Sequence, residues 1–288
     1  MTTPTEINAQ TQFCGVIGNP VEHSLSPAIH NAAFQKLGLN FVYLAWKVEN
    51  IGDAIKGLRA LGNFRGASVT IPHKVAAVPF LDEAESTARH IGAINTIVST
   101  GGRLTGYNTD ATGALRALSE SGAVLKGQRV GILGSGGAAR AIAFALAAGS
   151  AIERLDLLGI DDKERESLAG DLRSKTTMEV HDAHLNEESL KKVLANVQVL
   201  IHCTPTGMSP KVGVTCVPTS LLHAGLTVMD IVYNPRETRL LKEAKAVGCR
   251  TIPGLEMFLH QAAAQFELWT NQPAPTDVMR RVLESRFV

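Results

Sequence analysis

Residues 128–149 read QRVGILGSGGAARAIAFALAAG, an apolar strand-like run that meets glycine and turns at once into an alanine-rich helical period. Gly134, Gly136 and Ala139 fall on the G-x-G-x-x-G/A spacing. Strand, tight turn and helix in that order make a βα unit of a parallel sheet. Small residues at the turn let a pyrophosphate approach backbone N–H groups at the positive end of the helix. Gly134, Ser135, Gly136, Gly137 and Ala138 are therefore the candidate dinucleotide contacts, with a tight turn that binds nothing as the competing reading.

The same alternation runs along the rest of the chain. Downstream, RLDLLGI, TMEVHD, VQVLIHCT, LTVMDIV and CRTIP have strand character and are separated by helical stretches, which completes a Rossmann-type nucleotide-binding domain. Upstream, FCGVIG, FVYLAWKV, GASVTI and AINTIVS read as strands. SPAIHNAAFQKLG reads as a helix entered through Ser26 and Pro27, NIGDAIKGLRALG as a helix capped by Asn50 and ended by Gly62, and TGGRLTG as a turn. NTDATGALRALSESG starts a helix at 108–110, and LEMFLHQAAAQFELWT and TDVMRRVLESRF close the chain as helices. At 288 residues the chain exceeds the usual single domain. Two α/β domains around mostly parallel sheets are expected, with a substrate cleft between them.

Composition removes several classes of function. Apolar residues at 45% and charged residues at 19% give ample core and no signature of disorder. Lys+Arg 28 against Asp+Glu 27, with no Arg-rich run, argues against nucleic acid as a partner. No apolar run approaches the roughly 18 residues of a membrane span, and the start MTTPTEINAQTQ has neither the basic nor the apolar part of a signal peptide. A cytoplasmic protein without membrane association is expected. Cys14, Cys203, Cys216 and Cys249 are scattered without CxxC pairing, as reduced thiols are. His181 and His184 in HDAH lack a clustered third ligand, so no metal is expected.

GNPVEHSLSP, VTIPHK, GAINT, GYNTD, GSGGAA, TPTGM, YNP and GLEMFLHQAAAQF follow one another in the order, and at about the spacing, found in shikimate dehydrogenases and the related quinate/shikimate dehydrogenases. The chain resembles that family from about Cys14 to its C-terminal helices. The resemblance implies an oxidoreductase of aromatic amino acid and chorismate biosynthesis that interconverts 3-dehydroshikimate and shikimate with NAD or NADP, with a homodimer allowed for. It also implies that residues 1–111 and 255–288 form a substrate-binding domain around a dinucleotide-binding domain at 112–254, the helix at 255–269 returning to the first domain.

Reduction of a ketone needs hydride at carbon and a proton at oxygen, so an acid must stand near the developing alkoxide. A lysine beside a carboxylate supplies both charge and proton. Lys74 after VTIP and Asp110 in NTD match the family's catalytic pair, although each alone would read as a solvated charge and a helix cap. Shikimate carries a carboxylate and three hydroxyls, so its pocket should offer hydroxyl and amide groups. Ser24 and Ser26 match the family's carboxylate-binding serines, their ordinary roles being a turn and a helix cap. Thr70, Asn95 and Gln261 match residues that contact substrate, and Tyr233 is a further candidate against the alternative of a buried aromatic. Thr204 and Gly254 match positions on the cofactor side.

Two departures bear on specificity. The position two before Thr70 is usually Asn in the biosynthetic enzymes and is Ser68 here, so a water fills the gap or the ring preference changes. NADP-preferring members place Asn-Arg-Ser/Thr after the second strand of the nucleotide domain, whereas this chain has Gly159, Ile160 and Asp161. An acid there repels a 2′-phosphate and accepts from a free 2′-OH, which favours NAD; Lys163 and Arg165 are the counterweight, and Asp156 reads as an ordinary strand residue pointing off the sheet. Two alternatives stay open: a quinate or dual quinate/shikimate dehydrogenase, and a non-catalytic sensor of a shikimate-like effector. Paired serines weigh against the first and retention of both Lys74 and Asp110 against the second.

Overall fold

The computed structural model describes residues 6–287, so the first five residues of the N-terminal stretch read above lie outside the described residues. Two compact units are present, Met1–Thr109 with Gln261–Val288, and Asp110–His260. The chain runs through β1 (Gln12–Gly18), α1 (Ser26–Lys36), β2 (Phe41–Lys47), α2 (Ile51–Arg59), β3 (Phe64–Val69), α3 (His73–Ala76), β4 (Glu83–Ala84), α4 (Ser86–Ile91), β5 (Thr96–Thr100), β6 (Arg103–Tyr107) and α5 (Thr109–Glu120). It continues with β7 (Arg129–Leu133), α6 (Gly137–Gly149), β8 (Arg154–Gly159), α7 (Asp162–Lys175), β9 (Glu179–His184), α8 (Glu187–Leu194), β10 (Val199–His202), β11 (Thr227–Asp230), α9 (Arg239–Val247), β12 (Arg250–Pro253), α10 (Gly254–Thr270) and α11 (Thr276–Glu284).

In the first unit the strand order is β2-β1-β3-β5-β6-β4. β1 is parallel to β2 and β3, and β4 to β6, while β5 is antiparallel to both β3 and β6, so the sheet is mixed with three of its five pairings parallel. Gly101 and Gly102, with φ of +58° and +82°, fold β5 back onto β6 as a hairpin, which makes the second of the two antiparallel pairs. Residues 103–106, expected as part of a turn, belong instead to the returning strand β6. Asn50 caps α2 by accepting from Gly52 N and Asp53 N, while the helix stops at Arg59, short of Gly62. α1 is capped at Leu25 without a side-chain bond, which leaves Ser26 as the first helical residue and not the cap.

One side of this unit's core holds Ile17, Ile55, Phe64, Val69, Ile94, Ile97 and Leu104. An aromatic cluster joins α1, β2 and α10, with His30 stacked on Tyr43 at 4.5 Å and Phe34 on Phe266 at 5.3 Å. Trp269 Nε1 donates to Ile97 O at 3.0 Å. A Cβ at Gly66 would come within 2.3 Å of that indole nitrogen, so the fit of α10 against this sheet requires glycine there.

The second unit has the strand order β12-β11-β10-β7-β8-β9, every pair parallel. Counted from β7, the strands run outward to β9 on one side and from β10 to β12 on the other, the order of doubly wound dinucleotide folds. Winding reverses between β7 and β10, so the switch point lies beyond Leu133 and His202. Small residues let α6 press on the sheet, with Ala139, Ala141, Ile142, Ala143 and Leu146 buried.

Candidate active site

The polar centre of the first unit is Asn95, 2% exposed. Its Oδ1 accepts from Thr109 N at 2.7 Å and Thr96 Oγ1 at 2.8 Å, and its Nδ2 donates to Thr109 Oγ1 at 3.0 Å and Gln261 Oε1 at 3.3 Å. The Asn95 carbonyl in turn accepts from Val69 N at 2.7 Å and from Gln265 Nε2 at 3.1 Å. Gln261 and Gln265, one helical turn apart on α10, therefore grip the same asparagine from side chain and main chain. Gln265 Oε1 accepts from Ser68, whose hydroxyl also meets Tyr43 OH at 2.6 Å.

The remaining candidates of this unit lie just after β3, in α3 and at or just before the start of α1. Lys74 is half-buried in α3, and its carbonyl accepts from Ile94 N at 2.9 Å. Thr70 follows the end of β3, with its N–H on Ile17 O at 2.9 Å. Its methyl occupies the space a Cβ at Gly18 would need, 2.4 Å away. Ser24 Oγ accepts from Ser26 N at 3.3 Å, which leaves the Ser24 hydroxyl hydrogen available to an anion, and Ser26 itself is buried. In the second unit Asp110 is 5% exposed and lies in the first turn of α5, where the helix dipole favours a carboxylate.

The glycine loop has the geometry a dinucleotide requires. Gly134 has φ +107°, and a Cβ there would stand 2.9 Å from Cys203 O and 3.2 Å from Thr204 Cγ2. At Gly136, the N-cap of α6, a Cβ would meet nothing within 4 Å, and Gly137 and Ala138 of the first turn are half-buried. Ser135 Oγ reaches Glu164 Oε2 at 3.4 Å. Gly254 is packed so closely on Ile231 O, 2.4 Å from a would-be Cβ, that no side chain fits. Tyr233 stacks on Phe258 at 4.4 Å, and burial pushes its phenol up to about 12, so it stays neutral.

Past β8, Asp161 is the N-cap of α7 and accepts from Glu164 N at 3.0 Å, while Ile160 is exposed. Arg165 does not reach outward: it is buried against Asp182 at 2.9 Å, Glu166 at 3.1 Å and Asp162. It therefore drops out as a counterweight, leaving Lys163 exposed. Asp156 is 6% exposed and pairs at 3.0 Å with Arg154, two residues before it on the same face of β8, as an ordinary strand side chain pointing off the sheet. His181 and His184 are turned to Glu179 and Asp162, each at 3.0 Å.

Residues 16–97 match the shikimate dehydrogenase substrate binding domain, and residues 254–284 match the shikimate 5′-dehydrogenase C-terminal domain. A shikimate dehydrogenase (NADP+) of Desulforamulus reducens is 43% identical over 284 residues, which covers 97% of each chain. The chain belongs to the shikimate dehydrogenase family. Among solved structures, a shikimate dehydrogenase in complex with NADP+ is 40% identical with a TM-score of 0.91, covering 99% of both chains. The shikimate 5-dehydrogenase of Listeria monocytogenes, in complex with shikimate and NAD, is 38% identical with a TM-score of 0.88, covering 96% of this chain and 98% of its own.

Family resemblance pointed to Asn95 and Gln261 but not to Gln265, Thr109 or Tyr43, which hold them or their neighbours. Gln265 had a sequence signal, its position four residues after Gln261 on the same helical face. Tyr43 had none, because its partner Ser68 lies on a strand two places across the sheet. Among the described residues no group of three His, Cys, Asp or Glu side chains could hold a metal ion, and no helix is long and apolar enough to cross a membrane.

Proposed function

We propose that this shikimate dehydrogenase family member reversibly reduces 3-dehydroshikimate to shikimate, with Lys74 and Asp110 as the acid–base pair. The observation that carries the reading is that one dipeptide, Ile94–Asn95, anchors the backbone beside both residues: Ile94 N bonds Lys74 O at 2.9 Å, and Asn95 Oδ1 takes the N–H of Thr109, the residue before Asp110, at 2.7 Å. The Lys74 ammonium stabilises the developing alkoxide and supplies its proton, and Asp110 orients the ammonium and relays that proton. Ser24 and Ser26 take the ring carboxylate; Asn95, Gln261 and Thr70 take ring hydroxyls. Residues 134–138, Thr204 and Gly254 would hold a nicotinamide dinucleotide, which would supply the hydride when bound. Quinate's additional C1 hydroxyl crowds the second serine, which makes it the poorer substrate. Shikimate and quinate, each with NAD and NADP, are to be compared by absorbance of the reduced nicotinamide; signal from quinate alone would replace this reading with the quinate one.

We infer NAD over NADP. The Desulforamulus relative carries NADP+ in its name, and the two structural neighbours hold one cofactor each. What supports NAD in this chain is the first turn of α7, where Asp161, Asp162 and Glu164 are all exposed and Arg165 is bound to carboxylates of its own. A 2′-phosphate would meet that acidic edge with Lys163 as its nearest cation in sequence.

A further inference from the structure

The end of β10 carries a charged pair that the catalytic reading does not use. Register sets His202 opposite Asp230 of β11, and both are buried, at 1% and 0% exposure. His202 Nδ1 lies 2.9 Å from Asp230 Oδ1. That carboxylate also accepts from Val232 N at 3.0 Å and Thr238 Oγ1 at 2.6 Å. An ionised carboxylate only accepts, so the hydrogen of the His202–Asp230 bond is on Nδ1. The other ring nitrogen, Nε2, lies 2.5 Å from Thr204 Oγ1.

Thr204 makes this pair consequential. Its Oγ1 already accepts from Thr206 N at 3.2 Å. If His202 Nε2 is bare, the Thr204 hydroxyl hydrogen goes to it and none is left for a ligand. If Nε2 carries a hydrogen, Thr204 accepts twice and its own hydrogen is free to be donated. Thr204 is half-buried and touches the space beside Gly134, at the point where the sheet's winding reverses.

We propose that His202 is a positioning residue for the cofactor: held by Asp230, its imidazolium turns Thr204 into a hydrogen-bond donor toward the bound dinucleotide. The proposal rests on the reading that this unit binds a nicotinamide dinucleotide with Thr204 in contact. Two titratable side chains face the ring, Asp230 and Cys216. Burial alone would hold the imidazole neutral, but hydrogen bonds and charge from Asp230 and Cys216 carry it up to about 9. The donor state of Thr204 is therefore present at neutral pH and lost as pH rises through that value.

The test is titration of NADH and NADPH into the full-length protein, followed by nicotinamide fluorescence between about pH 7 and 10. Affinity of the unmodified protein should weaken about tenfold across the range, the weight of one hydrogen bond. Thr204→Val, which leaves His202 and Asp230 in place, should bind about tenfold more weakly at pH 7 and lose the pH dependence. His202→Asn should also give a flat profile; if it does not fold, Thr204→Val still decides. Unchanged pH dependence in Thr204→Val, or a flat profile in the unmodified protein that does bind, would overturn the proposal alone. Failure of the unmodified protein to bind either dinucleotide at any pH would overturn the cofactor reading beneath it as well.

Discussion

Ser68 Oγ donates to Gln265 Oε1 across 2.8 Å, tying β3 to α10 within the first unit. Since the same oxygen meets Tyr43 OH at 2.6 Å, the one hydrogen of Ser68 is committed and only a lone pair is left for a ligand. The small hydroxyl at a position usually occupied by a carboxamide thus braces Gln265, and through it the Asn95 carbonyl. Ser68→Ala should cost about 1–3 kcal/mol of stability, a fall in Tm of roughly 3–8 °C, while KM for shikimate moves less than about threefold. A steep rise in KM with an unchanged Tm would instead make Ser68 a direct substrate contact.

Ser24 keeps its hydroxyl hydrogen while accepting from Ser26 N. Ser24→Ala should weaken shikimate binding by about 1.5–3 kcal/mol, the scale of a hydrogen bond to a charged group, and leave dinucleotide binding in place. Calorimetric titration of both ligands checks this; an equal loss for the dinucleotide would remove Ser24 from the carboxylate.

The His202–Asp230 pair also links stability to pH. The folded-state value of His202, about 9, lies above its ordinary 6.5, so its contribution is complete below pH 6.5 and disappears as pH rises through 9. The gap corresponds to a ceiling on the order of 3 kcal/mol. Cys14, Cys249 and Tyr233, raised by burial, add losses of their own only above about pH 9, and the gains from His30 and His260, both lowered by burial, are nearly complete about one unit above 6.5, which leaves the interval from about 7.5 to 9 to His202. Urea unfolding across that interval should show stability falling with pH in the unmodified protein and a shallower fall in His202→Asn. A rise with pH would contradict the charged pair.

Asp161 both caps α7 and presents its charge where a ribose is expected, so Asp161→Asn removes the charge and keeps the cap. The unmodified protein should use NAD at least about tenfold more efficiently than NADP, about 1.4 kcal/mol, and the variant should narrow that ratio. Steady-state kcat/KM with each dinucleotide decides; equal or better use of NADP by the unmodified protein would move attention to Lys163.

The glycine loop was legible in the sequence because strand, turn and helix are contiguous there, and residue size alone carries the signal. Pairings made by the sheets were not. His202 closes an apolar run, and only the register of β10 on β11 brings Asp230, 28 residues later, against it. Arg165 looked free because its main partner Asp182 sits on the next strand, and the mixed first sheet was hidden because the hairpin at Gly101 and Gly102 read as a plain turn. Local chemistry could be read along the chain, whereas side-chain commitments across strands required the fold.

The central claim is that Lys74 moves a proton during nicotinamide-linked interconversion of shikimate and its ketone, and steady-state kinetics of Lys74→Ala beside the unmodified protein test it most directly. With shikimate as substrate, the unmodified protein should generate the reduced-nicotinamide absorbance band. The variant should lose about 10²- to 10⁴-fold in kcat with KM nearly unchanged, because the ammonium acts on the transition state. Near-normal turnover in Lys74→Ala, or no signal from the unmodified protein with shikimate and either dinucleotide, would contradict it.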